Sequence, residues 1–565
     1  MHNSWDDDGD GDYGETKAAI PHPGHDNDPL AWSTLTTATT TGLGENDFRQ
    51  RYHPMLRRDK EQIDHDDSTA APAAISSTTA ASSPVMSGDM DLIFVGTASC
   101  TPSVTRGVSC TAMRLHMRQK QAGKKGRAGT WLFDCGESTQ LQVQRTTSIK
   151  PSKITKIFLT HAHGDHTFGL PGLLCLMGQD RANGSQENNN KNKNRNNERQ
   201  QQNSEQPKVI DVYGPEGLRM WLRVAIRYSV SRIVPPYRVH ELKDIPMAPE
   251  WNYSRRHQRY FYPLGAKNDS NNSSEQNYWG VPSSEDHPVN DSSSWAARHH
   301  RIDLEASSQY GEVEGGRDIY PHYDHPLSSD GAPIWQVEDE GDVKVYAAPM
   351  SHGIPCVGYA VHEEDRPGRL RDEVVRPICL RNHDALKVAG FHHPLKAMQV
   401  IKELQPGSCF TFPDGTVVSQ DEAVEPPRPG RKLIICGDTA SARSMTKLAQ
   451  SADVLVHEAT NTYLHGFDKD TDMKAVTRDA TVHGHSTPRM AGLFAKSVGA
   501  QRLIMNHFSA RYRGDATMES IATMTRIEEQ ALKASGLSQD KVAAAWDFMI
   551  FPVPLQSSPE EEEIV

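Results

Sequence analysis

The chain is poor in cysteine, in long apolar runs and in hydrophobic residues generally. Eight cysteines are scattered over 565 residues with no Cys-x-x-Cys pair. That excludes a disulfide-built scaffold and reads as reduced thiols in an intracellular protein. No apolar run approaches the roughly 20 residues needed to span a bilayer, so no membrane association is expected. The opening Met1–Asp8 is acidic and has no apolar core, unlike a secretory leader or an Arg-rich transit peptide. The expected compartment is intracellular, the cytoplasm first, with nucleus and organelles left open. Hydrophobic residues make up 36% and mean hydropathy is −0.65, so a good part of the chain cannot be core.

The formal net charge of −12 argues at first against a polyanionic substrate, but the acid lies at the periphery. Residues 1–90 carry a net −10, residues 250–340 a net −9 and the run Glu560–Glu563 another −4, which leaves +11 for the rest. A basic body tolerates phosphate ligands, with an attraction that salt screens.

Residues 1–88 are rich in Asp, Thr, Ser, Ala and Pro with no sustained period, and read as a disordered acidic extension. Residues 179–207 read as a low-complexity insertion, 252–335 as an expanded, partly ordered loop, and 557–565 as a solvated acidic tail. A single folded unit over 89–556 remains. Within it, short β-branched or apolar runs read as strands: Asp91–Val95, Thr130–Phe133, Ile154–Leu159, Val209–Tyr213, Val343–Tyr346, Lys432–Cys436, Val454–Val456 and Leu503–Met505. Helical stretches at Gly217–Val230, Ala442–Ser451, Pro488–Val498 and Met518–Ala534 alternate with several of them. The expected class is α/β, with sheets covered by helices.

The most informative segment is Leu159-Thr-His-Ala-His-Gly-Asp-His-Thr-Phe-Gly-Leu-Pro-Gly172, directly after a strand. Three imidazoles and a carboxylate within six residues suit a borderline cation such as Zn²⁺, and Gly164 and Gly169 permit a tight backbone. His352, Asp438 and His507 each follow a predicted strand, and carboxyl ends of strands share one edge in layered α/β folds. The expected ligand sets are His161, His163 and His352 for one ion and Asp165, His166 and His507 for a second, with Asp438 between. A mononuclear structural zinc is the rival reading, but such sites favour cysteine, and none accompanies this cluster. Two divalent ions would activate a shared water against a phosphodiester. Asp165 is the candidate base. His485, just ahead of the helix start Thr487-Pro488, is the candidate acid, with Glu458 as its carboxylate partner. For each of these last two a plain polar or supporting role is about as well motivated by the residues alone.

These residues stand in blocks that resemble ribonuclease Z, the tRNA 3′-processing endonuclease of the metallo-β-lactamase superfamily. The blocks are Phe133-Asp-Cys-Gly-Glu-Ser-Thr-Gln140, Ile154 to Leu174, Val212-Tyr-Gly-Pro-Glu-Gly-Leu218, Ser351-His-Gly-Ile-Pro355, Gly437-Asp-Thr439, His457-Glu-Ala-Thr460, His485-Ser-Thr487 and His507-Phe-Ser-Ala-Arg-Tyr512. With one metal motif and no degenerate repeat before it, the chain looks like the short form. The resemblance implies an αββα sandwich, two zinc ions per subunit, a homodimer, and removal of the 3′ trailer from precursor tRNA to leave a 3′-hydroxyl. It also implies a protruding basic arm, expected here over 366–415, and substrate contacts from Arg369, Arg428, Arg431, Lys432 and Arg511. Two positions depart from the family pattern. Ser138 replaces a glycine, and Pro429 stands where a lysine is usual. The alternatives are a hydrolase of a small ester or thioester on the same fold, which has no use for a charged arm, and a non-catalytic RNA-binding relative, which would have lost ligands.

Overall fold

The computed structural model describes residues 90–115, 129–179, 208–229, 231, 233–248, 307–366, 368–393 and 395–555. The extension 1–88, the insertion beyond Gln179, the first part of the 252–335 loop and the tail 557–565 lie outside the described residues.

All eight β-branched runs are strands. The first sheet has the order β17-β1-β2-β3-β4-β5-β6-β7. Its members are β1 (Met90–Gly96), β2 (Cys110–Leu115), β3 (Gly129–Phe133), β4 (Ile154–Phe158), β5 (Ile210–Pro215), β6 (Tyr237–Leu242), β7 (Asp318–Ile319) and β17 (Ile550–Pro552). The second has the order β16-β15-β14-β13-β10-β9-β8. It comprises β8 (Trp335–Asp339), β9 (Val343–Pro349), β10 (Val357–Glu363), β13 (Lys432–Ile435), β14 (Val454–Glu458), β15 (Leu503–Asn506) and β16 (Val542–Ala544).

Alternation along the strands builds the layers. On the first sheet Leu92, Phe94, Phe133 and Phe158 face the second sheet and share one core with Val345, Tyr359, Ile434 and Val456. Their neighbours Ile93, Val95, Leu132 and Ile157 point the other way, onto Leu170, Leu173, Leu222 and Ile226 of the covering helices. Helices Pro488–Val498 and Met518–Ser535 cover the second sheet through Ala491, Ala495, Met524 and Ile527. This is the expected αββα sandwich. Phe133, Phe158 and Tyr213 stack in a row between the sheets, with centroids 5.1 and 4.8 Å apart.

Two parallel runs, β3 to β7 and β13 to β16, bring their carboxyl ends to a common edge. There the sheets are tied directly: the Tyr359 hydroxyl donates to the Leu159 carbonyl at 2.7 Å and the Val357 amide to the Thr160 carbonyl at 3.0 Å.

Three helical expectations hold within a residue or two, and one does not. Ala442–Ser451 is a 3₁₀ turn at Arg443–Met445 followed by further turns. The Thr446 hydroxyl donates to the Arg443 carbonyl at 2.7 Å, a local bond that competes with the helical ladder.

Between β10 and β13 the chain leaves the sandwich and folds on its own small core of Val375, Cys379, Leu386, Ile401, Phe412, Val418 and Val424. Helices Asp372–Arg381, His383–Val388 and Lys396–Lys402 and a hairpin of β11 (Cys409–Thr411) and β12 (Val417–Ser419) enclose it. Bridges Arg366–Arg428 and Leu370–Val424 close its base, so the compact unit runs on past residue 415.

Ser138 precedes the helix Thr139–Arg145 with φ of 66° and makes no side-chain cap bond. A left-handed L-residue costs about 1–2 kcal/mol relative to glycine, partly offset by glycine's freer unfolded chain. Ser138→Gly should raise the free energy of unfolding by roughly 0.5–1 kcal/mol, read from the urea midpoint at unchanged m.

Candidate metal centre

The common edge collects the histidine cluster. After β4 the chain turns through His161 and His163 into the short helix Gly164–Thr167. The loop after β3 is pressed against it. The Cys135 amide donates to the His166 carbonyl at 2.8 Å, and the Gly169 amide to the Cys135 carbonyl at 3.0 Å. A Cβ on Gly136 would meet the Asp165 carbonyl oxygen at 2.0 Å, and one on Gly169 would meet the Gly136 oxygen at 2.0 Å. Only glycine permits both approaches.

His161, His163, His352 and Asp438 form one group of donors, and Asp165, His166 and His507 another, with donor atoms in each within 4.8 Å of one another. Asp438 faces both. Its Oδ2 lies 3.8 Å from His161 Nε2, 4.0 Å from His352 Nε2 and 3.3 Å from His507 Nε2, while Oδ1 lies 3.4 Å from His166 Nε2. Imidazole nitrogens approach each other closely: His161 Nε2 and His163 Nδ1 at 3.0 Å, His166 Nε2 and His507 Nε2 at 3.2 Å.

The far nitrogens are held outside the cluster. His166 Nδ1 donates to Asp134 Oδ2 at 2.8 Å. His161 Nδ1 donates to the Thr160 hydroxyl at 3.0 Å, which in turn donates to Asp134. His352 Nδ1 donates to the Gly484 carbonyl at 2.9 Å, and His507 Nδ1 to the Thr460 hydroxyl at 2.9 Å. Each contact holds Nδ1 outside the cluster and directs Nε2 inward, the edge that a metal-ligating imidazole presents. Asp165 Oδ2 accepts the Cys100 amide at 2.7 Å. Asp134, Cys100 and His507 all have positive φ, 58–62°. Such strained backbone collects at functional sites.

The electrostatics fit a cation. Burial, followed by the nearby His166, pushes His161 far below the ordinary imidazole range, and burial takes His352 down to about 4. Both are neutral with a free lone pair. His166 goes the other way: burial opposes its charge, but Asp438, Asp134 and Asp165 together raise it well above the usual value. Asp165 is also held far below the carboxylate range, its burial overcome chiefly by the charge of His166 and by its close contacts with His166 and His507. Asp134, Asp165 and Asp438 thus draw positive charge into a pocket also lined by the neutral His161, His163 and His352. This donor set, without cysteine, suits zinc.

Beside the cluster, His485 Nδ1 lies 3.1 Å from Glu458 Oε1 and 3.8 Å from Asp438 Oδ2. Burial opposes the imidazolium, but Glu458 and then Asp438 outweigh it and hold His485 at about 9. The Thr439 amide fixes the same Glu458 oxygen at 2.6 Å.

Of the five basic residues assigned to substrate, four have partners within the protein. The Arg431 side chain is 1% exposed and forks onto Glu363 at 2.9 and 3.0 Å, which makes it a structural ion pair. Arg428 pairs with Glu425 at 3.1 Å, Lys432 donates to the Gln450 carbonyl at 2.7 Å and Arg511 pairs with Asp468 at 2.7 Å. Arg369 is exposed. The sequence reading assigned no role to Asp134, Thr160, Thr460 or the Cys100 amide. Asp134 carried a signal, since it stands within Phe133-Asp-Cys-Gly136.

The family model described as the metallo-β-lactamase superfamily matches residues 125–174. The chain is 30% identical over 469 residues to zinc phosphodiesterase ELAC protein 1 of Bos taurus, covering 83% of this chain and 99% of that one. It is 27% identical to ribonuclease Z of Bacillus subtilis, covering 82% and 99%. Against the crystal structure of human tRNase Z, short form, identity is 25% and the TM-score 0.41, covering 82% of this chain and 100% of that one. Fold and site define a metallo-β-lactamase-type hydrolase. Within that class, the chain belongs to the ribonuclease Z family. Among the described residues no helix is long and apolar enough to cross a membrane.

Asp134 orients His166 directly and His161 through Thr160. Loss of such a supporting carboxylate typically costs 10–100-fold in metal affinity. Asp134→Ala should weaken zinc retention by about that factor, measured by metal analysis after dialysis against graded chelator.

Proposed function

We propose that this protein is a zinc-dependent endoribonuclease that removes the 3′ trailer from precursor tRNA and leaves a 3′-hydroxyl on the tRNA. The observation that carries the reading is the convergence of seven donor side chains from four separate segments beside a buried carboxylate–imidazole pair. Kinship with zinc phosphodiesterases and ribonucleases Z supports the substrate class.

On this reading His161, His163 and His352 hold one ion, Asp165, His166 and His507 a second, and Asp438 serves both. Two divalent ions supply a more acidic attacking water and neutralise charge on the phosphodiester. The chain does the rest. Asp165, ionised and held by the Cys100 amide, accepts the proton of the water that attacks phosphorus. The P–O3′ bond breaks, and the phosphate stays on the 5′ end of the trailer. His485 has Nδ1 held on Glu458, so Nε2 is the atom that protonates the departing O3′. A group of this role must be protonated, and the Glu458 charge keeps it so at neutral pH. The exposed face of the arm, Arg369 included, is the surface for the tRNA body, and the working unit is a homodimer.

Incubation with precursor tRNA carrying a 3′ trailer tests the reading. Cleavage at the trailer junction should vanish with chelator and return with added zinc. Asp165→Ala should lower the rate about 10²–10⁴-fold, with zinc content and folding checked alongside. Metal-loaded wild-type protein that leaves the junction intact sinks the proposal. Glu458→Gln removes the charge that raises His485, so the alkaline limb of the kcat–pH profile should move to lower pH.

A further inference from the structure

Thr460 lies two residues beyond the end of β14, with its hydroxyl deep in the site. The hydroxyl donates to Glu458 Oε2, stands 2.9 Å from His507 Nδ1 and is 3.4 Å from His485 Nδ1. A hydroxyl has one proton. With that proton given to a carboxylate that can only accept, the oxygen has lone pairs left for a donor. His507 Nδ1 is the nearer nitrogen and must carry the hydrogen. That fixes His507 as the Nδ1–H tautomer and leaves its Nε2 lone pair inward, 3.3 Å from both Asp165 Oδ2 and Asp438 Oδ2.

The same carboxylate uses its other oxygen, Oε1, for His485 and the Thr439 amide. Glu458 therefore serves two histidines, His485 directly and His507 through one hydroxyl. The Ser509 amide also donates to the Thr460 carbonyl at 2.9 Å, so the backbones of the two loops are locked together beside the side-chain contact.

We propose that Thr460 is a positioning residue that sets the tautomer and direction of His507, and so the affinity of the cation His507 helps to hold. The proposal rests on the metal-site reading above but not on the RNA substrate. Alanine or valine at 460 removes the acceptor for His507 Nδ1–H, whereas serine keeps it. The backbone lock between the loops survives all three changes.

The experiment is equilibrium titration of the full-length apo-protein with Co²⁺ alone. It is followed by the d–d absorption bands and repeated for His507→Ala, Thr460→Val, Thr460→Ala and Thr460→Ser, with circular dichroism as the folding control. Thr460→Val and Thr460→Ala should weaken by about 10–100-fold the binding event that His507→Ala abolishes, and Thr460→Ser should restore it. Unchanged affinity in a folded Val or Ala variant overturns the proposal. So does a serine variant no better than alanine, or a wild-type titration from which His507→Ala removes no event. Failure of the substrate reading shows separately, as Co²⁺- or zinc-loaded wild-type protein that does not cut precursor tRNA.

Discussion

The constraint on which the rest depends is the charge buried at one sheet edge. Asp134 and Asp438 are buried and Asp165 half-buried among five imidazoles, four of them buried and His163 exposed. Removing a carboxylate from water costs several kcal/mol unless it is paired, and neutral imidazoles do not pair it. Raising His166 is the protein's own partial answer. A cation answers more fully, because the neutral His161, His163 and His352 already offer lone pairs and His166 gains one by giving up a proton. Metal affinity and the stability of this edge are then one quantity, since the ion offsets a cost the fold has already incurred.

The loops around the site are closely cross-linked. They are locked by backbone contacts that only glycine at 136 and 169 permits. They are also bolted from behind by Arg106, whose buried guanidinium donates to Thr97 Oγ1 at 2.6 Å, the Tyr512 carbonyl at 3.0 Å and the Ala545 carbonyl at 3.2 Å. Asp547 accepts the Thr97 hydroxyl, the Gly107 amide and the Gln142 amide at 2.6–2.7 Å. The loop bearing the Cys100 amide, the His507 loop and the C-terminal segment are thus tied together by buried hydrogen bonds. Positive φ at Asp134 and His507 is sustained because the surroundings over-determine it.

The clustering of these histidines and aspartates was legible because its signal is local and compositional: each stands just after an apolar β-run. The sandwich was legible for the same reason, from runs such as Ile154–Leu159 and Leu503–Met505. Contacts that depend on a partner far along the chain were not. Nothing near Thr460 announces that its hydroxyl will meet His507, and nothing near Arg431 announces Glu363, 68 residues earlier. A basic residue looks alike in sequence whether it awaits a phosphate or already holds a buried carboxylate. Helix Ala442–Ser451 failed through a short-range effect, a threonine hydroxyl competing for a backbone carbonyl. The arm's helices were hidden by brevity: they span 6 to 10 residues, and one contains Pro377.

The arm shows how such misreading bears on recognition. Its arginines look in sequence like a free basic run, yet Arg376 pairs with Asp372 at 2.5 Å, Arg381 with Asp414 at 2.9 Å and Arg366 with Glu363 at 3.2 Å. The pairs differ in kind. Arg376 and Arg381 are more than half exposed, and exposed pairs contribute only about 0–1 kcal/mol, so either arginine can exchange its carboxylate for a phosphate at small cost. Arg366 and Arg431 share the buried Glu363 at the arm's base, where loss of a partner is costly. Arg369, Lys387, Lys396 and Lys402 are exposed and have no ion pair among the described residues. The arm therefore combines a fixed ionic root with exposed cations that are unpaired or loosely paired, and only the latter can contribute counterion release to a polyanion bound there.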